Sequence, residues 1–457
     1  MSVRELKDYT FVSKYARWIP EKKRRETWNE AVSRVKKMML DKYQDFPEVH
    51  EDIEWSYEMM RKKRVLGSQR ALQFGGSPIF KHNARIYNCI TSFCDRLKFF
   101  QECMYLLLCG CGTGVSVQKH HIEKLPPIVK NKNGSKKFLI PDSIEGWSDA
   151  VGVLVASYFD QDELFPEYVG KNVSFDYSEI RPAGAYLNSS GGKAPGPEPL
   201  KNALSNIKKI LDKALKELEF CHSSVRNLTP IQAYDIVMHS ADAVISGGVR
   251  RSATICLFSP DDEEMAKAKT GSWFIDNPQR GRSNNSALLL RDKTSPKQFS
   301  ELMNSVKEFG EPGFVWSDST ELIVNPCVEI GMWPVDETTG ESGWQACNLS
   351  TINCAKVKTE DDFYDACKAA SIIGTLQAGF ASFDYLGEAS ERIVSREALL
   401  GVSMTGIMER FDICLSPETQ KKGARIVKEE NKRVAKLIGV NQAARTTCIK
   451  PEGTSSC

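Results

Sequence analysis

Asn325-Pro326-Cys327-Val328-Glu329 decides how this chain is read. A cysteine stands two residues from a carboxamide on one side and two from a carboxylate on the other. On an extended segment or a tight loop end, positions two apart project toward the same side, because side chains alternate. Pro326 fixes its own φ and drives Asn325 toward an extended conformation, which stiffens the presentation. A sulfur, a hydrogen-bonding amide and a base are therefore expected to converge on one substrate. Phe314-Val315-Trp316 before the stretch and Ile330-Gly331-Met332 after it predict a buried-loop setting.

Working outward, apolar runs of strand length alternate with amphipathic stretches of helical period. Helices are predicted over 27–43, 46–63, 99–108, 200–220, 230–246, 296–309 and 361–376, and Pro20-Glu21-Lys22-Lys23 is a further candidate helix start. Strands are predicted at 115–117, 253–258, 286–290, 313–316 and 398–404. This alternation favours an α/β barrel or a large α/β sheet. The turn Cys109-Gly110-Cys111-Gly112-Thr113-Gly114 suits either a phosphate cradle or close backbone packing on glycine. Gly247-Gly248-Val249-Arg250-Arg251 suits an anionic ligand or a solvated turn.

With 457 residues the chain has ample length for a large core, and 41% apolar and 26% charged residues are ordinary globular values. A net charge of +2 gives no electrostatic case for nucleic acid. No apolar run reaches the roughly 18 residues that span a bilayer, so no membrane partner is expected. The fourteen cysteines lack the spacing of a secreted disulfide scaffold. Cys103 and Cys109 lie in an apolar run and read as buried structural thiols. These features predict a cytoplasmic, reducing location. Cys89-x4-Cys94 and Cys109-x-Cys111 lack the partners of a structural zinc site, so no metal is expected there.

Further motifs occur in a fixed order. They are Phe11 to Trp18, Arg24-Arg25-Glu26-Thr27-Trp28, Arg70 to Gly76, Arg85-Ile86-Tyr87-Asn88-Cys89, Ala194 to Glu198, Gly247 to Ala253, Asn325 to Glu329, Ala346-Cys347-Asn348-Leu349 and Lys450-Pro451-Glu452-Gly453-Thr454. With these motifs the chain resembles the ribonucleotide reductases, specifically the monomeric adenosylcobalamin-dependent (class II) ribonucleoside-triphosphate reductases, over essentially its whole length.

The resemblance implies a ten-stranded α/β barrel, incomplete at the C-terminus, after an N-terminal helical region over 1–85. The catalytic barrel would occupy 86–457 and contain an effector-binding helical insertion with a specificity loop over 160–250. It implies reduction of ribonucleoside triphosphates to 2′-deoxyribonucleoside triphosphates for DNA synthesis, by a thiyl radical initiated by adenosylcobalamin. Cys327 would carry the radical and abstract the 3′-hydrogen, Glu329 would take the 3′-OH proton, and Asn325 would hold the ribose hydroxyls. Cys89 and Cys347 would be the reducing pair that closes to a disulfide, reopened by a thioredoxin-like reductant. Gly453, Thr454, Ser455 and Ser456 would bind substrate phosphates. Gly247, Gly248, Arg250 and Arg251 would form the specificity loop that answers a dNTP effector. Glu337 to Gly343 reads as a polar hairpin tip between Cys327 and Cys347.

Family members continue beyond the position of Cys457, so a complementary C-terminal fragment is an expected partner and the chain alone is expected to be inactive or poorly folded. Two other readings stand beside this one: a reductase of another radical class, and a non-catalytic nucleotide-binding fragment.

Overall fold

The computed structural model describes residues 3–129, 133–187, 192–220, 226–246 and 253–453. Its central sheet starts from a strand that is apolar throughout rather than alternating. β1 (Cys89–Phe93) is buried along its whole length, and so are β2 (Gly112–Ser116) and β3 (Thr254–Phe258). Burial of both faces is what a parallel sheet covered by crossover helices requires. β4 (Ser283–Leu290) and β5 (Gly313–Ser317) extend it in the order β5-β4-β3-β2-β1, every neighbour parallel.

A short hairpin follows, β6 (Ile323–Val324) with β7 (Gly331–Met332), and the finger loop lies between its strands. The chain then reverses, because β8 (Gln345–Cys347) runs antiparallel to β1. Past Asn348 it continues as β9 (Leu349–Asn353), which is parallel to β10 (Gly401–Thr405) and antiparallel to Val65–Leu66. That last pairing stitches the predominantly helical first 85 residues into the second sheet. Among the described residues the two sheets do not close on one another by strand pairing.

The helices follow their predicted positions where sequence signals bracket them. Thr27 caps the helix Trp28–Lys42 with a capping box to Glu30. The helix Pro296–Phe309 starts at Ser295-Pro296 and stops at Gly310, whose φ of +73° lies in the left-handed region. Pro20 departs from expectation: only the 3-10 turn Pro20–Lys22 forms, and Lys23 at φ +51° turns the chain back, so that Arg24–Arg25 pairs with Trp18–Ile19.

One long and largely enclosed helix, Glu360–Ala378, packs on His50–Arg61, on Pro417–Ile438 and beneath β9. Ser371 and Thr375 lie along its contact with the last of these, where Ser371 Oγ donates to the Val427 carbonyl at 2.7 Å and Asn431 Nδ2 donates to Thr375 Oγ1 at 2.9 Å. No helix among the described residues is long and apolar enough to cross a membrane.

Cys103 and Cys109 are fully buried, as predicted. Burial pushes the Cys103 and Cys367 thiols up to about 12. Their ionisation therefore belongs to the unfolded chain from about pH 9 upward. The folded state then holds more protons than the unfolded one. Stability from these thiols is fully present below pH 9 and is lost as pH rises toward 12, by about 1.4 kcal/mol per pH unit for each thiol. The denaturant midpoint of the reduced protein is accordingly expected to be lower at pH 10 than at pH 7.5. An unchanged midpoint contradicts this assignment.

Candidate active site

The hairpin that carries Asn325 to Glu329 lies directly against β2, and two glycines make that approach possible. A Cβ on Gly112 would stand 3.2 Å from Pro326 Cγ, and one on Gly114 would collide with the Val324 carbonyl oxygen. Close backbone packing is thus what the Gly112-Thr113-Gly114 stretch provides.

The five-residue loop is a closed turn rather than an extended segment. Val328 N donates to the Asn325 carbonyl at 2.9 Å, and Val328 adopts φ +65°. A β-branched residue in that region is strained, at a cost of order 1–3 kcal/mol that the surrounding contacts must offset. The turn brings the two flanking polar groups together. Asn325, fully buried, donates through Nδ2 to Glu329 Oε2 at 2.7 Å and accepts from Ile330 N at 3.1 Å. Glu329 Oε1 is also buried and has no hydrogen-bond partner, which leaves one carboxylate oxygen ready to accept a proton.

The expected buried setting holds for Asn325 but not for the loop tip. Cys327 is the one exposed thiol among the described cysteines, and Val328 is exposed beside it. The turn lifts both away from the hairpin wall.

Cys89 and Cys347 stand directly opposite one another in the β1–β8 ladder. Facing residues of an antiparallel pair have Cα atoms about 4.5–5.5 Å apart, within the window a disulfide needs. The Cys89 thiol is also within hydrogen-bonding reach of both Cys327 and Cys347. Cys327 thus holds the Cys89 thiol down, but Cys347 and burial together outweigh it and push Cys89 well up. Cys327 is pushed up by its hydrogen bond with Cys89, then by burial. Cys89 and Cys327 are therefore held as neutral thiols, suited to hydrogen-atom transfer rather than to attack as thiolates.

The register of Cys347 is fixed from behind. Ser92 Oγ donates to the Gly343 carbonyl at 2.5 Å, Arg96 donates to Ser342 Oγ at 2.8 Å, and Trp344, fully buried, donates its indole N–H to Glu102 at 2.9 Å. Glu102 is neutralised by Arg96 at 2.6 Å. After Cys347, Asn348 accepts from Gln377 Nε2 at 2.6 Å and donates to the Gly374 carbonyl at 2.5 Å, which ties the junction of the sheets to the enclosed helix. The hairpin tip lies where expected: Val335 bridges Ser342, and Gly340 N donates to the Asp336 carbonyl at 2.7 Å.

Lys450, from the motif expected to bind substrate phosphates, and Cys448, which was not predicted, also reach the cluster. Burial works against the charge on Lys450, but negative charge nearby, Glu452 foremost, raises its ammonium above the usual lysine value. Cys448 packs with Cys89, Met332 and Cys347, and its thiol is pushed up to about 12 by burial and by Glu329. The sequence signal for Cys448 was its place two residues before the motif at 450–454. Of the predicted phosphate-binding residues, Gly453 is described, whereas Thr454, Ser455 and Ser456 lie outside the described residues, as do Gly247, Gly248, Arg250 and Arg251.

A second feature is a cavity of about 620 Å³ lined by Arg17, Lys81, Arg85, Arg181, Lys193 and Trp147, among others. Arg85 is 4% exposed, and its Nε and Nη1 have no hydrogen-bond partner. Arg17 Nη2 is likewise buried without a partner, and burial beside Arg34 lowers the Arg17 guanidinium to about 10. Unpartnered buried guanidinium N–H groups facing a cavity suit an anionic ligand.

Residues 116–211 match the family model described as "B12-dependent ribonucleotide reductase, insertion domain". The fold is similar to a crystal structure of a B12-dependent (class II) ribonucleotide reductase, with TM-score 0.80 and 22% identity over 98% of this chain and 73% of that one. The adenosylcobalamin-dependent ribonucleoside-triphosphate reductase of Lactobacillus leichmannii is 25% identical over 97% of this chain and 71% of its own length. A putative enzyme of the same name from Mycobacterium phage D29 is 25% identical over 84% of this chain and 61% of its own. The fold is that of a class II ribonucleotide reductase. In sequence the chain is a homologue of proteins named adenosylcobalamin-dependent ribonucleoside-triphosphate reductases.

Proposed function

We propose that this chain reduces ribonucleoside triphosphates to 2′-deoxyribonucleoside triphosphates by thiyl-radical chemistry. The observation that carries the reading is the convergence of Cys89, Cys327 and Cys347 beside one carboxylate with an unbonded oxygen. The net change is replacement of the 2′-OH by hydrogen, with two thiols becoming one disulfide and water released.

Each residue has a stated part in that balance. Cys327, as a thiyl, takes the 3′-hydrogen. Glu329 Oε1 accepts the 3′-OH proton, and Asn325 keeps the carboxylate aimed while the ribose hydroxyls bind against it. One thiol of the Cys89–Cys347 pair protonates the departing 2′-OH. The pair then supplies two electrons and the hydrogen left on C2′ as it closes to a disulfide. Cys327 finally returns its hydrogen to C3′, and Glu329 returns the proton to the 3′ oxygen.

The donor set fits adenosylcobalamin, because the one exposed thiol of the described set is Cys327 and the two reducing thiols stand behind it. Bound, that cofactor supplies the radical. Val328 and Cys327 form the face open to it. Lys450 and Gly453, with the segment that follows, would take the substrate phosphates.

The cavity at Arg17 and Arg85 is the better place for a dNTP effector, since Lys193 to Gly196 of the proposed effector insertion line it. Arg85 is four residues ahead of Cys89, which gives a short route from effector to thiols. A thioredoxin-like protein in a reducing cytoplasm would reopen the disulfide.

The test is dNTP formation from NTP, adenosylcobalamin and a dithiol. Glu329→Gln is expected to lower kcat by about 10²–10⁴-fold, the range for loss of a positioned base, with KM nearly unchanged. Full kcat in that variant, or turnover without cobalamin, overturns the assignment.

A further inference from the structure

The geometry points to a divalent transition-metal site, of zinc type, formed by His120, His121 and Glu321 at the foot of the finger hairpin. Adjacent residues on a helix diverge by about 100°, so neighbouring histidines seldom share a ligand. Here they sit in the short helix Lys119–Ile122 that follows β2, and their ring centroids are 4.0 Å apart. Glu321 approaches both rings from the segment between β5 and β6. One carboxylate oxygen is 2.7 Å from His120 Nε2 and the other 3.3 Å from His121 Nε2. One ligand atom from each of the three residues lies within 4.8 Å of the others.

The distances suit a metal. Zinc bonds to nitrogen and oxygen of about 2.0–2.1 Å at tetrahedral angles put neighbouring ligand atoms about 3.3 Å apart. The Glu321–His121 separation already matches, and the Glu321–His120 pair needs to open by about 0.6 Å.

The second observation is how His121 is held. It is fully buried, Phe93 stacks on it at 4.0 Å, and its Nδ1 meets Ser116 Oγ at 2.9 Å. That contact fixes the ring and turns Nε2 toward Glu321, as an outer-shell partner does for a metal-bound imidazole. Asp95 adds a further negative charge facing His121, partly offset by Arg96 at 3.3 Å and Lys124 at 3.8 Å. Two imidazoles and a carboxylate, with room on the half-exposed side for water, form a donor set that zinc accepts. Gln118 Nε2 donates to the Thr320 carbonyl at 2.8 Å and already draws the two segments together. A metal there would clip the end of β2 to the chain four residues before Asn325.

The test titrates the full chain, stripped with chelator, with zinc and with cobalt(II). It follows stoichiometry, thermal midpoint and the X-ray absorption edge. The expected result is one metal per chain with nitrogen and oxygen ligands only, and a raised midpoint. Ser116→Ala should weaken binding by about 10–100-fold, the range for loss of an outer-shell partner. His120→Gln and Glu321→Gln, both at partly exposed positions, should weaken it further while the circular dichroism of the metal-free protein stays unchanged. Sulfur in the coordination shell, no uptake, or equal affinity in the His120→Gln and Glu321→Gln variants overturns the site.

Discussion

Replacing Cys327 by serine is expected to abolish deoxyribonucleotide formation, a loss of at least about a millionfold, since on the proposed function this residue would carry the radical on which the whole acceleration depends. The hydroxyl is close in size to the thiol but forms no comparably stable radical. Fold and nucleotide binding should survive, because the Cys327 side chain is exposed and the loop is held by Asn325, Glu329 and Ile330 rather than by the sulfur. The measurement pairs dNTP yield with circular dichroism and nucleotide affinity. Residual turnover above background in a folded variant would remove Cys327 from the radical role. Loss of activity together with loss of fold would also remove it, since the geometry makes the side chain dispensable for folding.

Replacing Cys347 by serine is the second large effect. The two electrons that replace the 2′-OH come from a pair of thiols, so one thiol supports no complete reduction. In the unmodified protein, pre-reduced and then freed of external reductant, one dNTP should form per disulfide closed, with two thiols lost. In the Cys347→Ser variant continuous turnover should cease, with no more than one product per chain even in excess dithiol. Thiol titration beside product analysis separates the cases. Sustained turnover in the variant would assign the reducing pair elsewhere, and Cys448, in the same apolar cluster, is the thiol to examine next.

Much of this was legible in residue order. The helices at 230–246 and 296–309 were read with their observed bounds, because proline opens both and the apolar period carries them through. The helix Pro417–Ile438 was not read, although Ser416, Pro417 and Gly439 bracket it in the same manner. Its many charges hid a narrow apolar stripe. Pro20 gave a helix signal that Lys23 cancelled by turning left-handed, an event that no local preference of lysine foretells.

At the site, Asn325, Cys327 and Glu329 were legible because their chemistry is packed into five residues. The pairing of Cys89 with Cys347 came from resemblance alone, and strand register supplies its physical basis. Cys448 and the unbonded oxygen of Glu329 were not legible. Each depends on contacts between segments far apart in the chain, as does the approach of Glu321 to the two histidines.

The ladder that holds Cys89 and Cys347 face to face has a consequence for traffic through the enzyme. Strands already in register can oxidise and reduce their cysteines with almost no movement, so the redox state sends no displacement to the surface. A reducing protein cannot recognise the spent form by its shape. With Cys89 4% exposed and Cys347 fully buried, a reducing thiol would, on the proposed function, enter beside Cys327, the exposed thiol of the described set, where nucleotide would also bind. Product would then leave before the reductant acts, so that one shared opening would set the order of events.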